Sequence, residues 1–130
     1  MTKKRAFISF DYDHDSDLKM LLVGQAKNDN APFSIADYSI KEAIAGDWKD
    51  RARSKIKGCD VVIVICGKYT DSAKGVSVEL KIAQEEGIPY FLLRGRATEK
   101  CVKPKAADPK DTIHEWTWDN LKKFIGGVCK

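Results

Sequence analysis

The sequence predicts an α/β fold: a three-layer αβα arrangement whose sheet is mostly parallel and has about five strands. Two observations carry this expectation. Short apolar runs without polar alternation, above all Val61-Val62-Ile63-Val64-Ile65, read as strands covered on both faces. Between them lie stretches with apolar residues three and four apart, at the spacing of βαβ units. For 130 residues this favours the flavodoxin-like strand order 2-1-3-4-5, with the whole chain, 1–130, as one domain.

The elements follow in order. Residues 5–10 form the first strand, because Ala6, Phe7, Ile8 and Phe10 do not alternate strictly with polar residues. The acidic stretch 11–16 breaks that run. Ser16 or Asp15 then caps a helix from Asp17 to about Lys27, with Leu18, Leu21, Leu22 and Gln25/Ala26 at helical spacing. Residues 28–32 end it, and Phe33–Tyr38 is the second strand. Residues 39–47 are ambiguous, either a short helical turn or a loop. Trp48–Lys57 reads as a helix with Trp48, Ala52 and Ile56 on one face and Gly58 as its stop.

The third strand is 60–66, and a polar loop fills 67–74. Residues 75–86 form a helix with Val76, Leu80 and Ala83 inward, closed by Gly87. Residues 89–93 form the fourth strand, with proline tolerated at its first position. A long irregular segment, 95–111, leads to a short edge strand at 112–114. The last helix, 118–125, is stopped by Gly126-Gly127.

Composition sets limits on function. The 43% apolar and 32% charged content is that of a folded globular chain. No apolar run approaches the roughly 18 residues of a membrane span. The apolar stretch after Lys3-Lys4-Arg5 is shorter than the about 7–15 residues of a secretory signal, so a cytoplasmic protein is expected. The net charge of +4 favours anionic ligands without demanding nucleic acid. Two basic stretches, Lys49 to Lys57 and Lys100 to Lys110, read as solvated surface. No aromatics alternate with them in the manner of single-strand binders, so neither nucleic acid nor a membrane is an expected partner.

The four cysteines, Cys59, Cys66, Cys101 and Cys129, include no C-x-x-C pair. With only His14 and His114 beside them there is no zinc spacing. Reduced structural thiols are expected. Cys66, at a strand end, leaves a reactive role open, although no histidine is near it in sequence.

A site belongs beyond the carboxyl ends of the strands, where strand order reverses between the first and third. Phe10, Asp11 and Tyr12 follow the first strand, Gly67, Lys68, Tyr69 and Thr70 follow the third, and the second ends at Asp37-Tyr38. This rim of aromatics, hydroxyls and carboxylates suits a flat ring with sugar hydroxyls, and equally an ordinary polar loop rim. Glu79 stands out. At about 100° per residue it lies about 60° from Val76 and about 40° from Ala83, so it flanks the buried seam near the helix start. A partly desolvated carboxylate there can hold ribose hydroxyls or stabilise positive charge on a sugar ring. The competing reading is a glutamate placed early in a helix by its dipole. Glu85 and Glu86, farther along, read as solvated.

Several chemistries are excluded. There is no G-x-G-x-x-G after the first strand, no G-x-x-x-x-G-K-[ST] and no G-x-S-x-G. The acidic stretch 11–16 is like that of response-regulator receivers. The third strand, however, ends in Ile65-Cys66-Gly67, with no aspartate to accept a phosphoryl group.

The sequence resembles the TIR superfamily, specifically its bacterial and archaeal TIR-like branch, which includes the Thoeris anti-phage TIR proteins. The likeness spans about residues 4–125. It rests on Arg5-Ala6-Phe7-Ile8-Ser9-Phe10-Asp11-Tyr12, on Trp48, and on Cys59-Asp60-Val61-Val62-Ile63-Val64-Ile65-Cys66-Gly67 followed by Thr70 and Ser72. It continues through Val78-Glu79-Leu80 with Ala83, Gly87-Ile88-Pro89, and Trp116-Thr117-Trp118-Asp119-Asn120-Leu121. The chain departs from the wider TIR pattern in having Gly75-Val76-Ser77-Val78 where a Trp-Cys pair precedes the glutamate. It also lacks the Arg-Asp and Pro-Gly signature after the second strand. Both departures fit the TIR-like branch.

The resemblance implies a flavodoxin-like fold and an enzyme that cleaves NAD at the nicotinamide–ribose bond. The product would be a cyclic ADP-ribose isomer, an antiviral signal that activates a separate effector protein. NAD is then the substrate, with no metal or other cofactor. Glu79 occupies the position of the family's catalytic glutamate. Nicotinamide would lie near Phe10 and Tyr12, and Asp11, Asp37, Lys68, Tyr69, Thr70 and Ser72 are the further candidate contacts. The alternative is a non-catalytic interaction module that self-assembles through the 39–47 segment and the basic helix face. Release of nicotinamide separates the two. A third reading, nucleotide or nucleic-acid binding by the basic faces, requires salt-sensitive binding to oligonucleotides.

Overall fold

The computed structural model describes residues 4–27, 33–38, 48–95 and 100–126. Along them run β1 (Lys4–Ser9), α1 (Tyr12–Ala26), β2 (Phe33–Tyr38), α2 (Trp48–Lys57), β3 (Val61–Cys66), α3 (Lys74–Glu86), β4 (Tyr90–Arg94), β5 (Ile113–His114) and α4 (Trp118–Gly126). The five strands form one sheet in the order β2-β1-β3-β4-β5, with every pairing parallel. This is the flavodoxin-like α/β order that the sequence predicts.

Crossover handedness decides which face each helix covers. A right-handed connection that steps one way along the sheet puts its helix on one face, and a step the other way puts it on the opposite face. The step from β1 to β2 runs one way; the steps from β2 to β3 and from β3 to β4 run the other. Accordingly Leu18 and Leu22 of α1 pack on Ala6, Ile8, Val61, Ile63 and Ile65, joined by Leu121, Phe124 and Ile125 of α4. Ala52 and Ile56 of α2, with Val76, Leu80 and Ala83 of α3, pack on Phe7, Val62, Val64 and Leu92. All of β3 is buried, because its side chains alternate between two covered faces. The connection from β4 to β5 contains no helix among its described residues. Cys101, Ala106 and Ala107 lie against the core on the α2/α3 face, where a helix of that crossover would sit.

Several details differ from the sequence reading. α1 begins at Tyr12, not at Asp17, so the acidic stretch starts the helix instead of preceding it. Carboxylates are favoured in a first helical turn, so the residues read as a breaker are compatible with an N-terminus. Leu21 is 60% exposed, because the buried stripe of α1 runs through Leu18 and Leu22 and leaves Leu21 at its edge. The 67–74 loop contains a short 3₁₀ turn, Thr70–Ser72, which buries Thr70. Residues 39–47 and Gly127 lie outside the described residues. Gly87 closes α3 as expected, with φ +71°, and Ile88 N–H bonds back to the Ala83 carbonyl at 2.9 Å. Gly58 ends α2 without that left-handed conformation.

The basic face of α2 is partly neutralised. Arg53 pairs with Glu85 at 2.8 Å and with Glu86, both on α3. The hydrogen bonds that Arg53 donates to Glu85 and Glu86 raise its pKa, and the bond accepted from Arg53 lowers that of Glu85. These two glutamates, read as solvated, thus clamp α3 to α2. Cys59, Cys66 and Cys101 are buried and carry no disulfide. Among the described residues no helix is long and apolar enough to cross a membrane.

A polar network orders the long β4–β5 connection. Tyr90 O–H donates to Asp111 Oδ2 at 2.7 Å, and Gln84 of α3 donates to the Ala106 carbonyl at 3.0 Å. Asp108 N–H bonds Asp111 Oδ2 at 2.9 Å, and Lys103 Nζ reaches the Asp111 carbonyl at 3.1 Å. Burial, and then the bond to Asp111, raise the Tyr90 pKa above its ordinary value of 10.0. A raised phenol keeps its proton in the fold after the unfolded chain has lost it. Its contribution is therefore complete below pH 10 and disappears as pH rises through the folded-state value. An ultraviolet titration should show a tyrosine component ionising above the ordinary value, with that component absent in Tyr90→Phe. The stability advantage of wild type over Tyr90→Phe should shrink above about pH 10.

Candidate functional site

The strand order reverses between β1 and β3, and the residues that follow these strands form one edge of the molecule. At this edge Ser9, the last residue of β1, pairs in register with Val64 of β3. Strand alternation turns Ser9 to the same face as Phe7, toward α3. Glu79 lies in the second turn of α3, on the seam with Val76, Leu80 and Ala83. The two meet: Ser9 Oγ–H donates to Glu79 Oε1 at 2.7 Å. Glu79 is 1% exposed and Ser9 0%. A carboxylate removed from water is costly unless hydrogen-bonded, and a hydroxyl on a rigid strand supplies such a bond at a fixed point.

The other expected residues fall into three groups. Phe10 and Asp11 are buried directly after β1, and Phe10 packs in the core beneath α1 and α4. Thr70 is fully buried, and its Oγ1 accepts from the Gly67 N–H at 2.7 Å, which folds the loop after β3 back on itself. Lys68, Tyr69 and Ser72 lie on the exposed side of that loop. Lys68 Nζ sits 5.6 Å from the centre of the Tyr69 ring, and Ser72 Oγ is 3.5 Å from Asp71 Oδ1. Tyr69 is 44% exposed and, with Met20 and Leu21, is among the most exposed large apolar side chains of the described residues. Tyr12 opens α1, and Asp37 stands opposite Phe7 in the β1–β2 pairing. The side chains of these two lie outside the described residues.

Ser9 is the residue that sequence reasoning missed. The signal was present: a lone hydroxyl inside the apolar run Ala6-Phe7-Ile8-Ser9-Phe10, on a strand covered on both faces, needs a buried partner. Among the described residues no cluster of three or more His, Cys, Asp or Glu could hold a metal ion. After these strands and on the adjoining helix lie the buried Glu79 carboxylate, the buried Asp11 and a loop bearing a cation and an aromatic ring. That set suits stabilising positive charge next to hydroxyl groups.

A separate groove of about 380 Å³ lies between α1 and the segment after β5, lined by Leu21, Gln25, Arg94, Gly95, Glu115 and Trp116. Trp116 Nε1 donates to Gln25 Oε1 at 2.8 Å across its floor, and Arg94 pairs with Glu115 at 3.5 Å. None of the candidate site residues lines it.

Residues 7–100 match the family described as Thoeris protein ThsB, TIR-like domain. No curated protein matches the chain.

Proposed function

Because the chain belongs to the TIR-like domain family of the Thoeris protein ThsB, we propose that it cleaves NAD at the nicotinamide–ribose bond. The main product is a cyclic ADP-ribose isomer that acts as an antiviral signal on a separate effector. The observation that supports this most is the buried Glu79 carboxylate, held at the strand-order switch by Ser9.

The chemistry follows from that carboxylate. As the glycosidic bond breaks, its electron pair leaves with nicotinamide and the ribose carbon takes on oxocarbenium character. Glu79 holds the ribose hydroxyls and stabilises this positive charge, which is worth most where water is excluded. The sugar carbon is then captured by a nucleophile on the adenine or its ribose, closing a ring, or by water, giving linear ADP-ribose; one proton is released. A site that keeps the adenine end close favours the ring through proximity. Phe10, Asp11, Tyr12, Asp37, Lys68, Tyr69, Thr70 and Ser72 are the proposed surroundings of the substrate. The buried Phe10 and Thr70 shape the edge, and Lys68 and Tyr69 meet the ligand from the exposed loop.

The second reading, an interaction module, is favoured by one observation. Met20 and Leu21 stand exposed side by side on α1, and Leu21 borders the groove. Incubation of the purified protein with NAD, at low and high protein concentration, separates the readings. The enzyme releases nicotinamide together with a species of cyclic ADP-ribose mass. A protein that releases none at either concentration, and none with a phage-derived trigger, is the interaction module.

A further inference from the structure

We infer that Ser9 is the positioning residue for Glu79: its hydroxyl, fixed at the end of β1, sets the orientation in which the carboxylate meets the substrate. The inference deepens the proposed function and rests on its reading of Glu79.

Three observations support it. The Ser9–Glu79 bond joins residues 70 positions apart, both buried, and it is 2.7 Å long. That is an ordinary length for a hydroxyl bonded to a carboxyl oxygen. A glutamate on a helix has three rotatable side-chain bonds, whereas Ser9 belongs to a strand whose backbone is locked to β3. The strand therefore aims the carboxylate, and α3 carries it. The core on this face is built of Phe7, Val62, Val64, Val76 and Leu80. An apolar pair of the same volume would serve packing alone as well as a buried hydroxyl and carboxylate do. The hydroxyl donates its single proton to Oε1 and engages one of the roughly four lone-pair positions of the carboxylate.

The test is steady-state NAD turnover by wild type, Ser9→Ala, Ser9→Cys and Glu79→Gln, with a thermal melt of each. Ser9→Ala should lower kcat on the order of 10- to 100-fold, because a misaimed group loses rate out of proportion to its displacement. KM should stay within about twofold, because the loss falls in the transition state. Ser9→Cys, nearly the same shape but a weak donor, should give an intermediate kcat. It also keeps the inference testable if Ser9→Ala fails to fold. A structural tie would instead lower the melting temperature and leave kcat of the folded fraction unchanged. Wild-type kcat in the folded Ser9 variants, beside an inactive Glu79→Gln, overturns the role of Ser9 and leaves the proposed function standing. A wild-type protein without turnover under every condition overturns both.

Discussion

Glu79→Gln is expected to lose nicotinamide release by about 10²–10³-fold or more, the scale seen when one preorganised electrostatic stabiliser is removed. The substitution is chosen for what it preserves. Glutamine has the same shape and keeps an oxygen that accepts from Ser9, so the packing of a side chain that is 1% exposed is retained. The negative charge disappears, and the other carboxylate oxygen becomes an NH2 group. The melting temperature should therefore stay close to that of wild type while activity falls. Mass spectrometry of the NAD products, run beside the melt, checks both halves. Full turnover by Glu79→Gln would remove Glu79 from the chemistry. Loss of activity together with loss of folding would call for Glu79→Asp, which keeps the charge but shortens the reach.

Gly95→Ala is expected to destabilise the fold by about 1–3 kcal/mol, the usual result of forcing extra volume into a packed core. Gly95 follows β4, and its N–H bonds to the Cys66 carbonyl at 2.9 Å. A Cβ at this position would lie 2.5 Å from Leu18 Cδ1, 2.9 Å from Ile65 Cγ2 and 3.1 Å from the Cys66 carbonyl oxygen. Leu18 Cδ1 is the end of a flexible side chain that can turn aside, but Ile65 Cγ2 and the Cys66 backbone oxygen belong to the central strand. Relief at these two must come from a shift of the backbone around Gly95. A thermal or urea melt measures the effect, and Gly75→Ala is the control, because nothing stands within 4 Å of a Cβ there. Equal stability of the two variants would show that the contacts around Gly95 relax freely. The groove offers a second readout, because Gly95 and Leu21 both line it.

Much of this architecture was legible in the chain because it depends on local pattern. The all-apolar Val61–Cys66 strand, the inward stripe Val76, Leu80 and Ala83, and the glycine that closes α3 each follow from a few neighbouring residues. Glu79 was legible for the same reason: its angle on the helix places it at the edge of a buried seam. Its partner was not. Ser9 gave a weak signal, one hydroxyl in an apolar run, and its acceptor lies 70 residues away, so only the pairing of β1 beside β3 beneath α3 brings the two together. Glu85 and Glu86 likewise read as solvated acids until the packing of α2 on α3 set Arg53 against them.

By itself, then, the sequence determined the α/β class, the strand order, the family and the carboxylate on the seam, because hydrophobic periodicity and motif spacing are properties of short stretches. The tertiary structure alone decided that Leu21 faces outward and Gly95 has no room for a side chain. It also decided that Thr70 turns inward to the loop backbone and that Ser9 reaches Glu79. Each of these depends on which distant surfaces meet, and that is set by the handedness of the crossovers and the close packing of two helix layers on one sheet.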